Sequence, residues 1–205
     1  MTVEHVEVLV EEPSTEYALR VVLPKVLGPI TFEVYPHQCK SELLKRLPDR
    51  LRGYASWLPE TWRIVVIVDC DDDDCSVLKR QMETFAAQAG LPTRTHPRRK
   101  RYSVVNRIAI EELEAWYFGD WRAVRAAYPN VSATVPAQAK YRAPDAIKGG
   151  TWEAFERILQ AAGYFKTGLR KIEAARAIGT HMAPVNNSSP SFRALRNALL
   201  EMVEG

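Results

Sequence analysis

Cysteine is scarce in this sequence: Cys39, Cys70 and Cys75 are three among 205 residues. A low, odd count does not make a disulfide framework and suits a reducing cytoplasm. Cys70 and Cys75 read as incidental small residues, because no second Cys or His pair follows at zinc-ligand spacing. Long hydrophobic runs are also missing. None approaches the ~20 residues that a membrane span needs. The opening MTVEHVEVLVEE has early acids and no cleavage-site pattern, so no signal peptide is expected. His5, His37, His96 and His181 share no metal-site spacing. A Gly-rich phosphate loop is absent as well: Gly149-Gly150-Thr151 lacks the P-loop pattern, so any ATP hydrolysis has to come from a partner. There are no internal repeats and no low-complexity tracts.

What is present is an ordinary globular composition, 46% hydrophobic and 26% charged. The expectation is one domain over 1–205, with an α/β core over 1–120 and a helical extension over 121–205. Net charge is only +3, but it is segregated. Acid dominates Glu4–Glu16 and Asp69–Asp74, and base dominates Arg94–Arg101. Such segregation suits an anionic ligand met by a metal and basic side chains together.

Periodicity predicts strands at Val3–Val10, Ile30–Tyr35, Arg63–Val68 and Ser103–Ile110. Helices are expected from Ser14 or Thr15, as cap, to Leu27, then over Lys40–Tyr54 and Ser76–Ala89. Further helices are expected near Trp121–Tyr128, Thr151–Ala162, Gly168–His181 and Ser191–Val203. Strands alternating with helices predict a parallel-rich, Rossmann-like sheet of about four strands, flanked by helices, with a helical C-terminal half. Pro129–Gly150, with scattered Pro and Gly, reads as a surface excursion or a flap. The tryptophans read as core or lid residues.

The stretch Ile64–Cys75 reads IVVIVDCDDDDC. Its apolar run has the character of a buried parallel strand, so the acids stand at a strand's C-terminal end, where open α/β sheets bind ligands. Carboxylates about 4 Å apart repel by roughly 4 kcal/mol at an effective dielectric of 20, and a bound cation relieves this. Asp69 and Asp71, at i and i+2, point the same way on an extended strand end and form a natural ligand pair for Mg²⁺. Asp73 and Asp74 fit a helix start, with Asp72 undecided between the two roles. Glu11, Glu12 and Glu16 also follow a strand and open a helix, and Glu111, Glu112 and Glu114 follow the fourth strand. Solvation and helix-end roles compete for each group taken singly. Neighbouring strand ends would nevertheless gather several carboxylates into one crevice. Arg98, Arg99, Lys100 and Arg101 lie on one loop, and Lys40 with the Lys45, Arg46, Arg50 and Arg52 helix face would extend that patch. Phosphate contacts of this kind are salt-dependent and sequence-blind.

These motifs together resemble a Toprim domain. That nuclease signature, Glu-Gly-x-Thr-Glu, appears here as Glu12-Pro13-Ser14-Thr15-Glu16, with Pro13 in place of glycine and Glu11 still in contention as the first acid. It is followed by a strand ending in Asp69-x-Asp71. GYASWLP, IEELEAW, LRKIEAAR and PSFRAL make nearly the whole chain resemble a Toprim-like family of unknown function. That family is related to the overcoming-lysogenization-defect nucleases and is often encoded beside ATPases in bacterial defence loci. The resemblance implies metal ligation by Glu12, Asp69 and Asp71, with Mg²⁺ or Mn²⁺. It implies that Glu16 too is a metal-site acid, and it implies catalytic roles for Glu12, Glu16, Glu114 and Lys171, a DNA or RNA substrate, and an ATPase partner.

The resulting expectation is a metal-dependent phosphodiester nuclease, cytoplasmic and unattached to membrane, with homo-oligomerisation left open. One alternative is a regulatory or nucleic-acid-binding module that kept the fold and lost the chemistry, as Pro13 invites. Another is an Asp-x-Asp nucleotidyl or glycosyl transferase, which would not explain Glu12 and Glu16.

Overall fold

The computed structural model describes residues 2–71, 73–99, 101–110 and 112–204. Asp72, Lys100 and Glu111, to which the sequence assigns possible roles, lie outside the described residues. Four strands, β1 (His5–Val10), β2 (Thr31–Pro36), β3 (Trp62–Asp69) and β4 (Val104–Ala109), form one all-parallel sheet in the order β2-β1-β3-β4. Val8 stands opposite Val34 on β2 and Val65 on β3, and Asp69 stands opposite Ala109 on β4. The arrangement is Rossmann-like, and the chain beyond β4 is helical.

The unbroken apolar runs of β1 and β3 follow from burial on both faces. Val6, Val8, Val10, Val65, Ile67 and Val105 pack on one side. They meet α1 (Pro13–Val22), α2 (Pro24–Leu27) and the later helices α5 (Glu114–Gly119), α6 (Trp121–Ala127), α7 (Thr151–Ala161), α8 (Lys171–His181) and α9 (Pro190–Glu204). Leu9, Ile64, Val66, Val68 and Val104 pack on the other side against α3 (Lys40–Trp57) and α4 (Cys75–Gln88). Leu43, Leu47 and Leu51 of α3, spaced by four, are fully buried. Each such side chain contributes about 1.5–3 kcal/mol.

Four details depart from the sequence reading. The first helix starts at Pro13, with Glu12 rather than Ser14 or Thr15 in the cap position and no side-chain capping hydrogen bond. Proline's missing N–H costs nothing there. The same residue type at Pro24 divides that helix into α1 and α2. The segment 129–150 is neither an excursion nor a flap. It forms three 3₁₀ turns, pinned by buried Val131, Val135, Tyr141 and Ile147. Phe118 stacks on Tyr141 at 5.3 Å, and Asp145 accepts hydrogen bonds from the Ser189 hydroxyl and the Ser191 N–H, both at 2.6 Å. Three-residue turns carry no periodicity for a pattern search to find. Finally, Cys70 and Cys75 are disulfide-bonded rather than incidental, because the turn between them brings their Cα atoms to 5.7 Å. The cysteine count therefore no longer argues for a reducing compartment. Among the described residues no helix is long and apolar enough to cross a membrane.

One buried acid fixes the approach to β4. Glu83 of α4 accepts hydrogen bonds from the Thr93 hydroxyl, the Lys79 ammonium at 2.9 Å and the Asn106 amide at 3.0 Å. Burial pushes its acid upward, but these hydrogen bonds outweigh burial and hold it at about 2, below the ordinary 4.5. The stabilisation is complete above pH 4.5 and is lost as pH falls towards 2. Glu83→Gln is expected to lower unfolding free energy at pH 7 by about 3 kcal/mol. In urea titrations the gap to the parent protein should close as pH drops through that window.

Candidate active site

The strand order makes the chain leave β1 towards one sheet edge and β3 towards the other. Their carboxyl ends diverge at this switch point and leave a crevice, the usual ligand position in open α/β sheets. Val10 pairs in register with Ile67, so two residues further along each segment stand Glu12 and Asp69. Asp69 shares the face of Val65 and Ile67, the face covered by the helical half. It is 5% exposed. Burial drives its acid well above the usual carboxylate range, and the charges of Glu11, Glu12, Glu114 and Asp71 act in the same direction.

Two further acids complete the crowd. Glu114, the first residue of α5, is buried. Burial raises its acid to about 7; Lys171 opposes the rise, and Glu112 and Glu12 add to it. Glu114 Oε2 finds no hydrogen-bond partner among the described residues, and neither do the nearby buried Tyr117 hydroxyl and the Thr15 hydroxyl. Glu11 accepts the Asp69 backbone N–H at 2.9 Å and so ties the end of β3 to β1. Burial lifts its acid to about 7, partly offset by that hydrogen bond. Of the two first-acid candidates, Glu11 thus supports Asp69 from the backbone side, while Glu12 accepts the Ser14 hydroxyl and lies 3.7 Å from the Lys171 ammonium.

Two lysines supply countercharge. Lys171 opens α8. Burial works against its charge, but Glu114, Glu12, Glu112 and Asp69 outweigh it and hold the ammonium above its ordinary range. Lys40 opens α3 and donates to Asp71 at 2.6 Å, to Asp73 at 2.8 Å, and to the carbonyls of Asp69 and Cys70 at 3.1 Å each. Lys40 thus belongs to the acidic crevice rather than to the basic patch that the sequence reading extended to it.

Asp71 does not point with Asp69. β3 ends at Asp69, and Asp71 sits in the following turn at φ +47, with its side chain 44% exposed. The i, i+2 rule holds only while the backbone stays extended. Asp74 caps α4, accepting the N–H groups of Ser76 at 2.7 Å and Val77 at 3.1 Å. Glu16 is held by Arg20 at 2.8 Å, and Arg20 also binds Glu33 of β2. The structure therefore leaves Glu16 outside the group around Asp69.

The basic loop lies elsewhere. Arg98 and Arg101 bond through their backbones in a tight turn with Arg99 at φ +48, and Arg101 reaches Glu60 at 3.8 Å. A loop that precedes β4 emerges at the amino edge of the sheet. One strand length, roughly 20 Å, separates it from the crevice. Among the described residues no three His, Cys, Asp or Glu side chains are grouped so that they could hold a metal ion.

Glu112 was named in the sequence only as part of an acidic run. It caps α7, accepting the Thr151 hydroxyl at 2.8 Å and the Trp152 N–H at 2.9 Å. No signal in the sequence announces a cap for a helix starting thirty-nine positions later.

Because the folded protein holds Glu114 protonated where an unfolded chain ionises, stability falls as pH rises from 4.5 to about 7 and then levels. Glu114→Gln should therefore raise Tm at pH 8, by an amount that vanishes below pH 4.5, as thermal melts across pH will show.

A family model, described as domain of unknown function DUF4276, matches residues 10–200. Comparisons with curated proteins and with solved structures return no match.

Proposed function

The chain belongs to the DUF4276 family, and we propose that it is a Mg²⁺- or Mn²⁺-dependent hydrolase of phosphodiester bonds in DNA or RNA, on the Toprim-like plan its motifs resemble. What supports this reading is the burial of Asp69 and Glu114 near the switch point of the sheet, with Glu12 3.7 Å from the Lys171 ammonium and its charge felt by both acids. The donors are hard carboxylate oxygens of the kind Mg²⁺ takes. Glu114 Oε2 is buried with no hydrogen-bond partner among the described residues.

Glu12 and Asp69 would hold the ion, which when bound stabilises charge on the attacking and leaving oxygens, while Asp71, turned away from Asp69 and paired with Lys40, stands outside the ligand pair. Glu114, with its acid near 7, is matched to taking a proton from water at neutral pH. Lys171 faces the same space with a charge suited to a phosphate oxygen. Glu11 holds the backbone of Asp69 in place. Glu16 has no part in this reading because Arg20 occupies it. The resemblance further suggests a separately encoded ATPase partner in a defence system.

A binding module without chemistry is the second reading. It is favoured by the ion pairs Lys40–Asp71 and Lys171–Glu12, which already neutralise two of the acids.

Labelled DNA and RNA incubated with the protein in Mg²⁺, Mn²⁺ or EDTA separate the two. Cleavage is expected with either metal and not in EDTA. Glu114→Gln should slow it about 100-fold or more, and Asp69→Asn and Glu12→Gln should abolish it. Cleavage that persists unchanged in Asp69→Asn and Glu12→Gln would sink the site. Binding without cleavage at any metal concentration would favour the module.

A further inference from the structure

Beside the crevice lies a cavity of about 650 Å³, within the size range of small-ligand sites. Asp71, Glu112, Glu153, Lys148, Gly149 and Trp152 are among the residues that line it.

Gly149 and Gly150 both adopt left-handed φ, +79 and +84. A side chain at 150 would run into the Glu153 carboxylate, whereas a Cβ at 149 would meet nothing within 4 Å. The left-handed backbone at 149 and 150 is one that glycine adopts freely. Trp152 is half-buried at the start of α7, and the Lys171 ammonium stands 5.7 Å from its ring centroid. Its ring joins the cavity to the cation that faces the acids. Lys148 is exposed on the rim.

An aromatic ring and a rim cation beside Lys171, in a cavity that Asp71, Glu112 and Glu153 also line, match a nucleoside whose base, rather than its phosphate, enters the cavity. A base can enter a concave cavity only when it is out of a helical stack. We propose that this cavity receives the base next to the scissile phosphate, with Trp152 as its stacking platform, and that the substrate is single-stranded nucleic acid. The inference rests on the phosphodiester reading above and narrows its substrate.

The test is binding of short fluorescent oligonucleotides to the full chain in EDTA, so that no cleavage intervenes. Single-stranded DNA, single-stranded RNA and a duplex of the same sequence serve as probes. Single strands should bind about tenfold or more tightly than duplex. Trp152→Ala should weaken single-strand binding by about fivefold or more. Trp152→Phe should keep it within about twofold, because every aromatic ring offers a face. Lys148→Ala, at an exposed position, should flatten the salt dependence. Equal affinity for duplex, or Trp152→Ala binding like the parent protein while Lys148→Ala leaves the salt slope unchanged, overturns the inference. Cleavage assayed separately distinguishes the two failures. Metal-dependent cleavage with no dependence on Trp152 defeats the cavity alone. Trp152-dependent binding of single strands without cleavage in either metal defeats the reaction and leaves the cavity as a single-strand site.

Discussion

A carboxyl group withdrawn from water must either keep its proton or face a positive charge. The crevice between β1 and β3 imposes that choice on several groups at once. Asp69 and Glu114 are buried almost completely, and Glu11 and Glu12 stand close enough to disfavour further ionisation. Lys171 and Lys40 answer from opposite sides, each at the first turn of its helix. The two lysines do different things. Lys40 is engaged by two side chains and two carbonyls and holds the turn after β3 in shape. Lys171 makes one long contact with Glu12 and is left with more to offer a ligand.

The helical half is a working part of this arrangement. It covers the sheet face on which Asp69 lies, and it supplies Glu114, Lys171 and Trp152. The same layer that excludes water from the sheet therefore raises the acids. Its own ends are fastened by polar side chains. Asp120 accepts the N–H groups of Ala123 and Ala183, and Lys25 donates to the carbonyls of Gly179, Thr180 and Met182 that close α8. Capping of this kind positions α8 to within a hydrogen bond's tolerance, which Lys171 at its other end requires.

Much of the sheet was legible because burial on both faces leaves an unmistakable apolar run, as in Ile64–Val68, and because Gly28-Pro29 and Gly90 mark stops. Element ends were less so. Trp62 and Asp69 extend β3 by a residue at each end, since edge residues need not be apolar. Asp69 could be read as a strand-end acid, but the turn of Asp71 into left-handed backbone could not, because nothing in an aspartate run specifies φ. The partnership of Lys171 with Glu12 and Glu114 depends on how α8 docks, which periodicity does not encode. The placement of the Arg98–Arg101 loop was legible in principle. A loop before a parallel strand and a loop after one lie at opposite edges, so charge segregation along the chain did not mean juxtaposition in space.

The chain order of these parts has a consequence for folding. The strands that carry Glu12 and Asp69 are complete within the first seventy positions, while the ammonium group that balances them stands a hundred positions later. A chain emerging during synthesis, or one whose helical layer has come away, would hold its acids in water, ordinary in their titration and without a partner lysine. The buried, charge-balanced state of the crevice and the completed fold would then arrive together.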